Sequence, residues 1–264
     1  MAITRFLNRL RPQGPYPALP SPKHPVCIIG DIHGRADLFD SLIWQLCAEP
    51  MLGWTRAVLV GDLVDRGPDS AGVLERVRDW IKAPAPFASV TCLMGNHERM
   101  MLDFLEDPVR HGPRWLAHGG DATVESFGLT PHRRQPDATP DEALIGLRDA
   151  LLEALPDGLH DWLLSLPTVW QEDRLVITHA GADPMRPIAE QSIESLLWGH
   201  RAFRSQQRED GLWIAHGHII TTTPTAQFGR ISVDTGAYRT GRLTAALLDE
   251  GGLRFVTTAQ ADGS

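Results

Sequence analysis

Ala57-Val58-Leu59-Val60-Gly61-Asp62-Leu63-Val64-Asp65-Arg66-Gly67 is the stretch from which the rest of the chain is read. Four apolar residues run without a polar break into glycine and aspartate. An uninterrupted apolar run of this length, bounded by glycine, reads as a strand buried on both faces. The same arrangement recurs on either side. Val26-Cys27-Ile28-Ile29 runs into Gly30-Asp31, and Val90-Thr91-Cys92-Leu93-Met94 into Gly95-Asn96. Leu175-Val176-Ile177 runs into Thr178-His179, and Leu212-Trp213-Ile214-Ala215 into His216-Gly217-His218. Each strand thus ends in a residue able to bind a metal. Between the first three strands the apolar residues take helical spacing, at Leu38, Phe39, Leu42, Ile43 and Leu46, and again at Val73, Leu74, Val77, Trp80 and Ile81. Strand, helix, strand at this spacing gives βαβ units with parallel strands. Open α/β sheets carry their sites at the carboxyl ends of the strands, so all five polar ends are expected along one edge.

Composition narrows the class. The chain has 264 residues, 42% hydrophobic and 22% charged, which excludes a disordered chain and supports a sizeable core. No apolar run is long enough to cross a bilayer. With 33 acidic against 25 basic side chains the formal charge is −8, which argues against nucleic acid as a partner. Lys23 and Lys82 are the only lysines, so the basic residues are almost all arginine. Three cysteines in a chain of this length do not make a disulfide framework, and a cytoplasmic location fits. Cys27, Cys47 and Cys92 are expected in the core.

The chain divides into an N-terminal segment with a Pro-rich linker (1–25) and a main domain (26–264). Ile3, Phe6, Leu7 and Leu10 alternate with Arg5, Arg9 and Arg11, which reads as a loose terminal turn or, alternatively, a short amphipathic helix on a membrane or partner. The stretch is too short for a secretory signal and lacks a small-residue cleavage site. Gly14, Pro15, Pro17, Pro20, Pro22 and Pro25 follow as an extended linker. Residues 99–170 carry helical signals around a polar loop from Thr130 to Pro140, and read as a mostly helical insert. The tail segments Ile231–Asp234, Arg242–Leu248 and Leu253–Val256 are expected to form a second, antiparallel sheet, turning at Asp249-Glu250-Gly251-Gly252.

Carboxylates, an amide oxygen and imidazoles form a mixed O/N donor set, suited to Mn²⁺, Fe²⁺, Zn²⁺ or similar ions. The chain supplies more such donors than one ion needs, so two ions are implied. Asp62, on the central strand of the series, is the natural carboxylate to bridge them. Two-metal sites hold their ions about 3.5–4 Å apart and suit in-line displacement at phosphorus by a shared, deprotonated water.

Three motifs, Gly30-Asp31-Ile32-His33-Gly34, Gly61-Asp62-Leu63-Val64-Asp65-Arg66-Gly67 and Gly95-Asn96-His97-Glu98, resemble those of the phosphoprotein phosphatases, the metal-dependent Ser/Thr protein phosphatases, in their bacterial and phage form. The likeness runs from about residue 26 to 248. It takes in Thr178-His179-Ala180-Gly181, His216-Gly217-His218 and Val233-Asp234-Thr235-Gly236-Ala237. It implies the calcineurin-like metallophosphoesterase fold: an α/β architecture with a central β-sandwich of mixed sheets, flanked by helices and carrying the helical insert. By this resemblance Asp31 and His33 bind one metal, Asp62 bridges, and Asn96, His179 and His218 bind the other. Asn96 and Arg66 also face the substrate, with Arg201 as a second phosphate arginine. His97 is the general acid, supported by Asp65, and Arg rather than Lys at position 66 suits bidentate contact with phosphate. The cofactors implied are two divalent ions, Mn²⁺ ahead of Fe²⁺, Zn²⁺ or Ni²⁺.

The implied activity is hydrolysis of phosphoserine and phosphothreonine in proteins, with small aryl phosphates turned over as well. The partner is then a phosphoprotein or small phosphorylated substrate, with no nucleic acid and no stable membrane insertion. The alternative is a symmetrical dinucleoside tetraphosphate hydrolase. In that related family the second aspartate of the GDxVDRG segment is replaced and Asn-His is followed by Asp; Asp65 and Glu98 keep the protein-phosphatase form. Retention of the whole donor set weighs against a scaffold without metals, and the lack of a basic stripe against a nuclease. His216 reads as a ligand, as a donor behind the ligands, or as a packed neighbour. Glu98 is taken as structural, paired with an arginine. His118-Gly119-Gly120 is placed at the rim of the insert, and His111, His132, His160 and His200 on the surface or at caps.

Overall fold

The computed structural model describes residues 16–48, 55–131 and 138–258. Strands β1 (Val26–Ile29), β2 (Arg56–Leu59) and β3 (Ser89–Cys92) are parallel neighbours, with Cys27 beside Ala57 and Ala57 beside Val90. Helices α1 (Ala36–Leu46) and α2 (Ser70–Lys82) are the crossovers between them, as the strand-and-helix spacing requires. Asp69 caps α2 by accepting from the Gly72 backbone N–H.

Helix α3 (Asn96–Glu106) leads from β3 into the insert, which is helical. The insert continues through α4 (Pro108–Trp115), a π-helical turn over Leu116–Gly120, α5 (Asp121–Ser126), α6 (Pro140–Ala154) and α7 (Leu159–Leu164). Residues 132–137 of the expected polar loop lie outside the described residues. Thr139 and Glu142 cap the start of α6 reciprocally, with Pro140 at its first position.

A second sheet follows. Its strands are β4 (Val169–Glu172), β5 (Leu175–Thr178), β6 (Trp213–His216), β7 (Thr225–Gln227) and β8 (Arg230–Ser232), with α8 (Ile193–Trp198) between β5 and β6. After α9 (Ala237–Thr240), the chain closes with β9 (Thr244–Asp249) and β10 (Gly252–Thr257). The strand orders are β10-β9-β1-β2-β3 and β4-β5-β6-β8-β7.

The five strand ends are divided between the sheets of the sandwich: β1, β2 and β3 belong to the first, β5 and β6 to the second. One expectation is corrected here: the tail strands do not make a sheet of their own. β9 pairs antiparallel with β1 and β10 with β9, whereas β8 runs parallel to β6. The reason lies in β9, which is apolar on both faces. Ala246 and Leu248 point into the layer between the sheets, Ala245 and Leu247 toward the helices, so the strand needs cover on both sides. A place beside β1 provides it.

The two sheets pack face to face. Val26, Ile28, Val58, Val60 and Leu93 meet Leu175, Ile177, Trp213, Ala215, Ile231 and Val233 across the sandwich. The alternate residues of the first sheet, among them Cys27, Ile29, Ala57, Leu59 and Cys92, form a second core with α1, α2, α3 and the insert. This arrangement brings the carboxyl ends of strands from both sheets to one edge of the sandwich. Cys47, expected in the core, is exposed directly after α1, because the helical spacing that buries Leu46 turns the next residue outward.

The amphipathic segment Ile3–Leu10 lies outside the described residues. The expected linker, from Tyr16 onward, is laid along the second sheet. The Tyr16 ring meets Trp213 edge-on at 5.6 Å and its hydroxyl donates to the Leu212 carbonyl. Trp213 Nε1 donates to the Pro17 carbonyl at 3.0 Å, and Arg174 to that of Ala18 at 3.2 Å. Among the described residues no helix is long and apolar enough to cross a membrane. Tyr16→Ala is expected to lower the unfolding free energy by about 2 kcal/mol in urea titration, through lost ring packing and one lost hydrogen bond. A change within error would show that residues 16–25 add nothing to the fold.

Candidate dinuclear metal centre

Each donor sits on a loop or helix start just past a strand. Asp31 and His33 follow β1, and Asp62, Asp65 and Arg66 follow β2. Asn96 and His97 open α3 after β3, His179 follows β5 and His218 follows β6. The first two loops are zipped together by backbone hydrogen bonds. Ile32 and His33 N–H both donate to the Asp62 carbonyl at 3.0 and 2.9 Å, and Gly34 N–H to that of Leu63 at 2.8 Å. His33, Asp62, Asp65, Arg66 and His218 all have φ between 47° and 72°, in the left-handed region that side chains seldom occupy. Such strain persists only where the surroundings over-determine it. A side chain on Gly95 would overlap Asp62 Oδ1, and one on Gly217 would overlap Asp31 Oδ1. Glycine is therefore required at both positions for the backbone to approach the carboxylates.

Glu98 holds the Asp62 loop. Its Oε2 accepts from the backbone N–H of Asp62 and Gly95, both at 2.8 Å, and its Oε1 from Leu63 at 2.7 Å and Val64 at 3.3 Å. The expected arginine partner is thus replaced by backbone amides. Burial and the neighbouring Asp62 push this carboxyl up to about 8, against the pull of the N–H donors. Every neighbour it bonds is a donor, so a proton on it would find no acceptor.

Asp62 is shared between two groups of donors. Its Oδ2 lies 3.4 Å from His33 Nε2, and its Oδ1 3.4 Å from His179 Nε2. His33, Asp62 and His97 converge to within 4.8 Å of one another, as do Asp62, His179 and His218. Asn96 Oδ1 sits 2.9 Å from His179 Nε2 and 2.8 Å from His218 Nδ1.

The tautomers show what this pocket fits. His33 Nδ1 faces the Val64 carbonyl at 2.8 Å and His179 Nδ1 that of Val60 at 3.0 Å. A carbonyl only accepts, so the proton of each neutral ring is on Nδ1 and the Nε2 lone pair points inward. Burial keeps both rings neutral, lowering His33 well below its usual range and His179 to about 3. These lone pairs face the carboxylate oxygens of Asp62 with no proton between. Asp31 Oδ1 is buried with no hydrogen-bond partner, while its Oδ2 accepts from His218 N–H at 2.9 Å. Burial, then Asp234 and Asp62, push the Asp31 carboxyl well above its usual range. Asp234, a buried carboxylate to which the sequence motifs assign no role, is itself pushed up to about 6 by burial. Converging lone pairs, an orphaned carboxylate oxygen and crowded acids are the donor chemistry of divalent cations.

His97 and Arg66 lie beside this cluster. His97 Nδ1 is 2.6 Å from Asp65 Oδ2, and its backbone N–H donates to Asp62 Oδ1 at 3.0 Å. Burial lowers the His97 ring to about 4. The exposed Arg66 guanidinium places Nη1 3.0 Å from His33 Nε2 and stacks over the Tyr238 ring at 4.7 Å. Its backbone N–H donates to the Gly119 carbonyl at 3.1 Å. Tyr238 also meets His33 edge-on at 5.3 Å. It is a site residue with no signal in the sequence beyond its place after Val233–Ala237. His216 faces other partners: Nδ1 lies 2.9 Å from the Gly217 carbonyl, Nε2 3.0 Å from Ser232 Oγ, and the ring lies against Phe203. Arg201 is exposed in the turns after α8 and makes no hydrogen bond or ion pair with a described residue. His118 is exposed in the π-helical turn, its Nδ1 2.7 Å from the Arg114 carbonyl.

A two-sheet sandwich with imidazoles and carboxylates gathered at its strand ends defines a metal-dependent phosphate-ester hydrolase. The chain belongs to the calcineurin-like phosphoesterases, whose family model matches residues 24–222. It is 37% identical over 231 residues to serine/threonine-protein phosphatase 2 of Escherichia coli, covering 83% of this chain and 90% of that protein. It is 28% identical over 265 residues to a symmetrical bis(5'-nucleosyl)-tetraphosphatase of Chromohalobacter salexigens, covering 84% of this chain and 94% of that one. In fold it resembles the cold-active protein-tyrosine phosphatase of a psychrophilic Shewanella species, with a TM-score of 0.59 at 17% identity over 90% of this chain and 80% of that one.

Glu98→Gln is expected to destabilise the metal-free protein by about 3 kcal/mol in urea denaturation, because an amide NH₂ would face backbone N–H donors that need an acceptor. A shift below about 1 kcal/mol would show that water or a neighbour satisfies those N–H groups.

Proposed function

We propose that the chain is a phosphomonoesterase that removes phosphate from phosphoserine and phosphothreonine in cytoplasmic proteins, with Mn²⁺ as the preferred ion. Asp31 and His33 would hold one ion, Asn96, His179 and His218 the other, and Asp62 both. Two such ions, when bound, polarise the phosphate oxygens and make water a stronger nucleophile near neutral pH. Arg66, fixed by Tyr238 and the Gly119 carbonyl, offers its remaining N–H groups to phosphate oxygens, with Arg201 as a second contact. His97 donates a proton from Nε2 to the departing ester oxygen, and Asp65 fixes the ring through Nδ1.

The observation that carries this reading is the buried Asp65–His97 pair, 2.6 Å long and next to the shared carboxylate. A serine or threonine alkoxide is a poor leaving group and needs such an acid. The 37% identity to a serine/threonine phosphatase over most of both chains supports the same class. The absence of a disulfide among Cys27, Cys47 and Cys92 agrees with a reducing compartment.

The test is a substrate panel on purified protein with added Mn²⁺: p-nitrophenyl phosphate, phosphoserine, phosphothreonine and phosphotyrosine peptides, and diadenosine tetraphosphate. Phosphoserine and phosphothreonine peptides are expected to give the highest kcat/KM. A lead for diadenosine tetraphosphate would transfer the assignment to the nucleotide hydrolases, and inactivity with every divalent ion would sink the catalytic reading. His97→Asn is expected to keep its metal content and lose about 10²–10⁴ in kcat on phosphopeptide. A matching loss of metal would make His97 a ligand instead.

A further inference from the structure

Asp65 carries more hydrogen bonds than holding one imidazole requires, and most of them come from the insert. Its Oδ1 accepts from the Thr123 hydroxyl at 2.6 Å. Trp115 Nε1 lies 3.1 Å from Oδ1 and 3.0 Å from Oδ2, and Oδ2 is the oxygen that faces His97 Nδ1. Thr123 closes the ring by accepting the Asp65 backbone N–H at 2.8 Å, which Ser70 Oγ shares at 3.0 Å. All four residues are fully buried, and Trp115 is wedged against Phe104 at 4.8 Å between ring centres. Asp65 itself sits at φ 72°, a conformation its own loop does not favour.

We infer that Trp115 and Thr123 are positioning residues for the reaction, acting through Asp65 on His97. This rests on the reading of His97 as the leaving-group acid. In that step a water oxygen, its proton released to solvent, bonds to phosphorus as the ester P–O bond breaks, and the proton on Nε2 moves to the ester oxygen. The electron pair of the bond goes to that oxygen, and the imidazole is left neutral. Efficient transfer needs the ring plane fixed, with Nδ1–H directed at a carboxylate that cannot swing away. Asp65 has a soft carboxyl torsion, and no lysine or arginine forms an ion pair with it among the described residues. The indole N–H bridges both of its oxygens and the threonine hydroxyl anchors the outer one, so the inner oxygen is held toward His97. Asp65 belongs to the β2 loop and His97 to α3, whereas Trp115 ends α4 and Thr123 lies in α5. The helical insert thus supplies part of the acid's geometry as well as the rim around it.

The test compares phenyl phosphate, whose leaving group needs a proton, with 2,4-dinitrophenyl phosphate, whose leaving group does not, using Mn²⁺-loaded protein. Thr123→Val and Trp115→Phe are each expected to lower kcat on phenyl phosphate about tenfold or more, the cost of one charge-assisted hydrogen bond, with a much smaller loss on the dinitrophenyl ester and KM retained. Thr123→Ser, which keeps the hydroxyl, is expected to restore the rate. His97→Asn calibrates the pair of esters. If it discriminates between them while Thr123→Val and Trp115→Phe lose both equally, the positioning role is overturned and the acid reading stands. If His97→Asn does not discriminate, the acid reading falls and this inference with it. A second readout needs no metal. The His97 Nδ1–H proton, in a short buried bond, should give a downfield NMR resonance that Thr123→Val and Trp115→Phe shift and Thr123→Ser leaves in place. A resonance unmoved by either of the first two overturns the inference.

Discussion

A carboxylate that faces imidazoles on two sides cannot be oriented by them, because neutral rings presenting lone pairs repel it. Asp62 is in that position, with Oδ2 toward His33 and Oδ1 toward His179. Its carboxylate is oriented by the His97 backbone N–H, which donates to Oδ1, and the loop that carries it is held from behind. Glu98 binds the N–H groups of Asp62 and the two residues after it, and the Asp62 carbonyl takes the N–H groups of Ile32 and His33. One buried glutamate therefore sets the path of the β2 loop, and through it the spacing of the β1 loop. The rest of the centre is built around that fixed point.

The sandwich supplies what the loop cannot. His179 and His218 are carried by the second sheet, yet they must meet Asp62 and Asn96, which belong to the first. The apolar layer between the sheets, with Val58 and Val60 on one side and Ile177 and Ala215 on the other, sets how far apart those strand ends lie, and the bonds from His179 Nδ1 to the Val60 carbonyl and from His218 N–H to Asp31 pin them there. The positive φ values at His33, Asp62 and His218 are local strain that this packing over-determines. Apolar burial and metal-site geometry are in this sense the same constraint, since a shift between the sheets would part the two donor groups that share Asp62.

Much of this was legible from local patterns. A buried strand that ends in glycine and a polar donor announces itself in about six consecutive residues, and its helical crossover in the next dozen. Neither signal depends on the rest of the chain. The features that escaped are non-local. The sheet that takes β9 depends on which neighbour has an uncovered edge. The partner of Glu98 depends on a loop some 35 residues away. Trp115 and Thr123 look like ordinary helix residues, and their bonds to Asp65 span 50 and 58 positions. Cys47 is apolar in type and follows Leu46 directly, and only the point at which α1 ends and the core stops decides that it faces outward.

The sequence by itself determined the strand ends, the donor types and the order in which they come, because these follow from short-range periodicity and from the chemistry of single side chains. Tertiary structure alone decided that the donors are divided between two sheets, that Asp62 is shared between two imidazole groups and that His216 faces Ser232 and the Gly217 carbonyl. It also decided that the insert reaches back to Asp65. Those outcomes depend on distances between residues far apart in the chain. Such distances are set by how apolar faces stack and by where buried polar groups find partners, and no stretch of sequence encodes them singly.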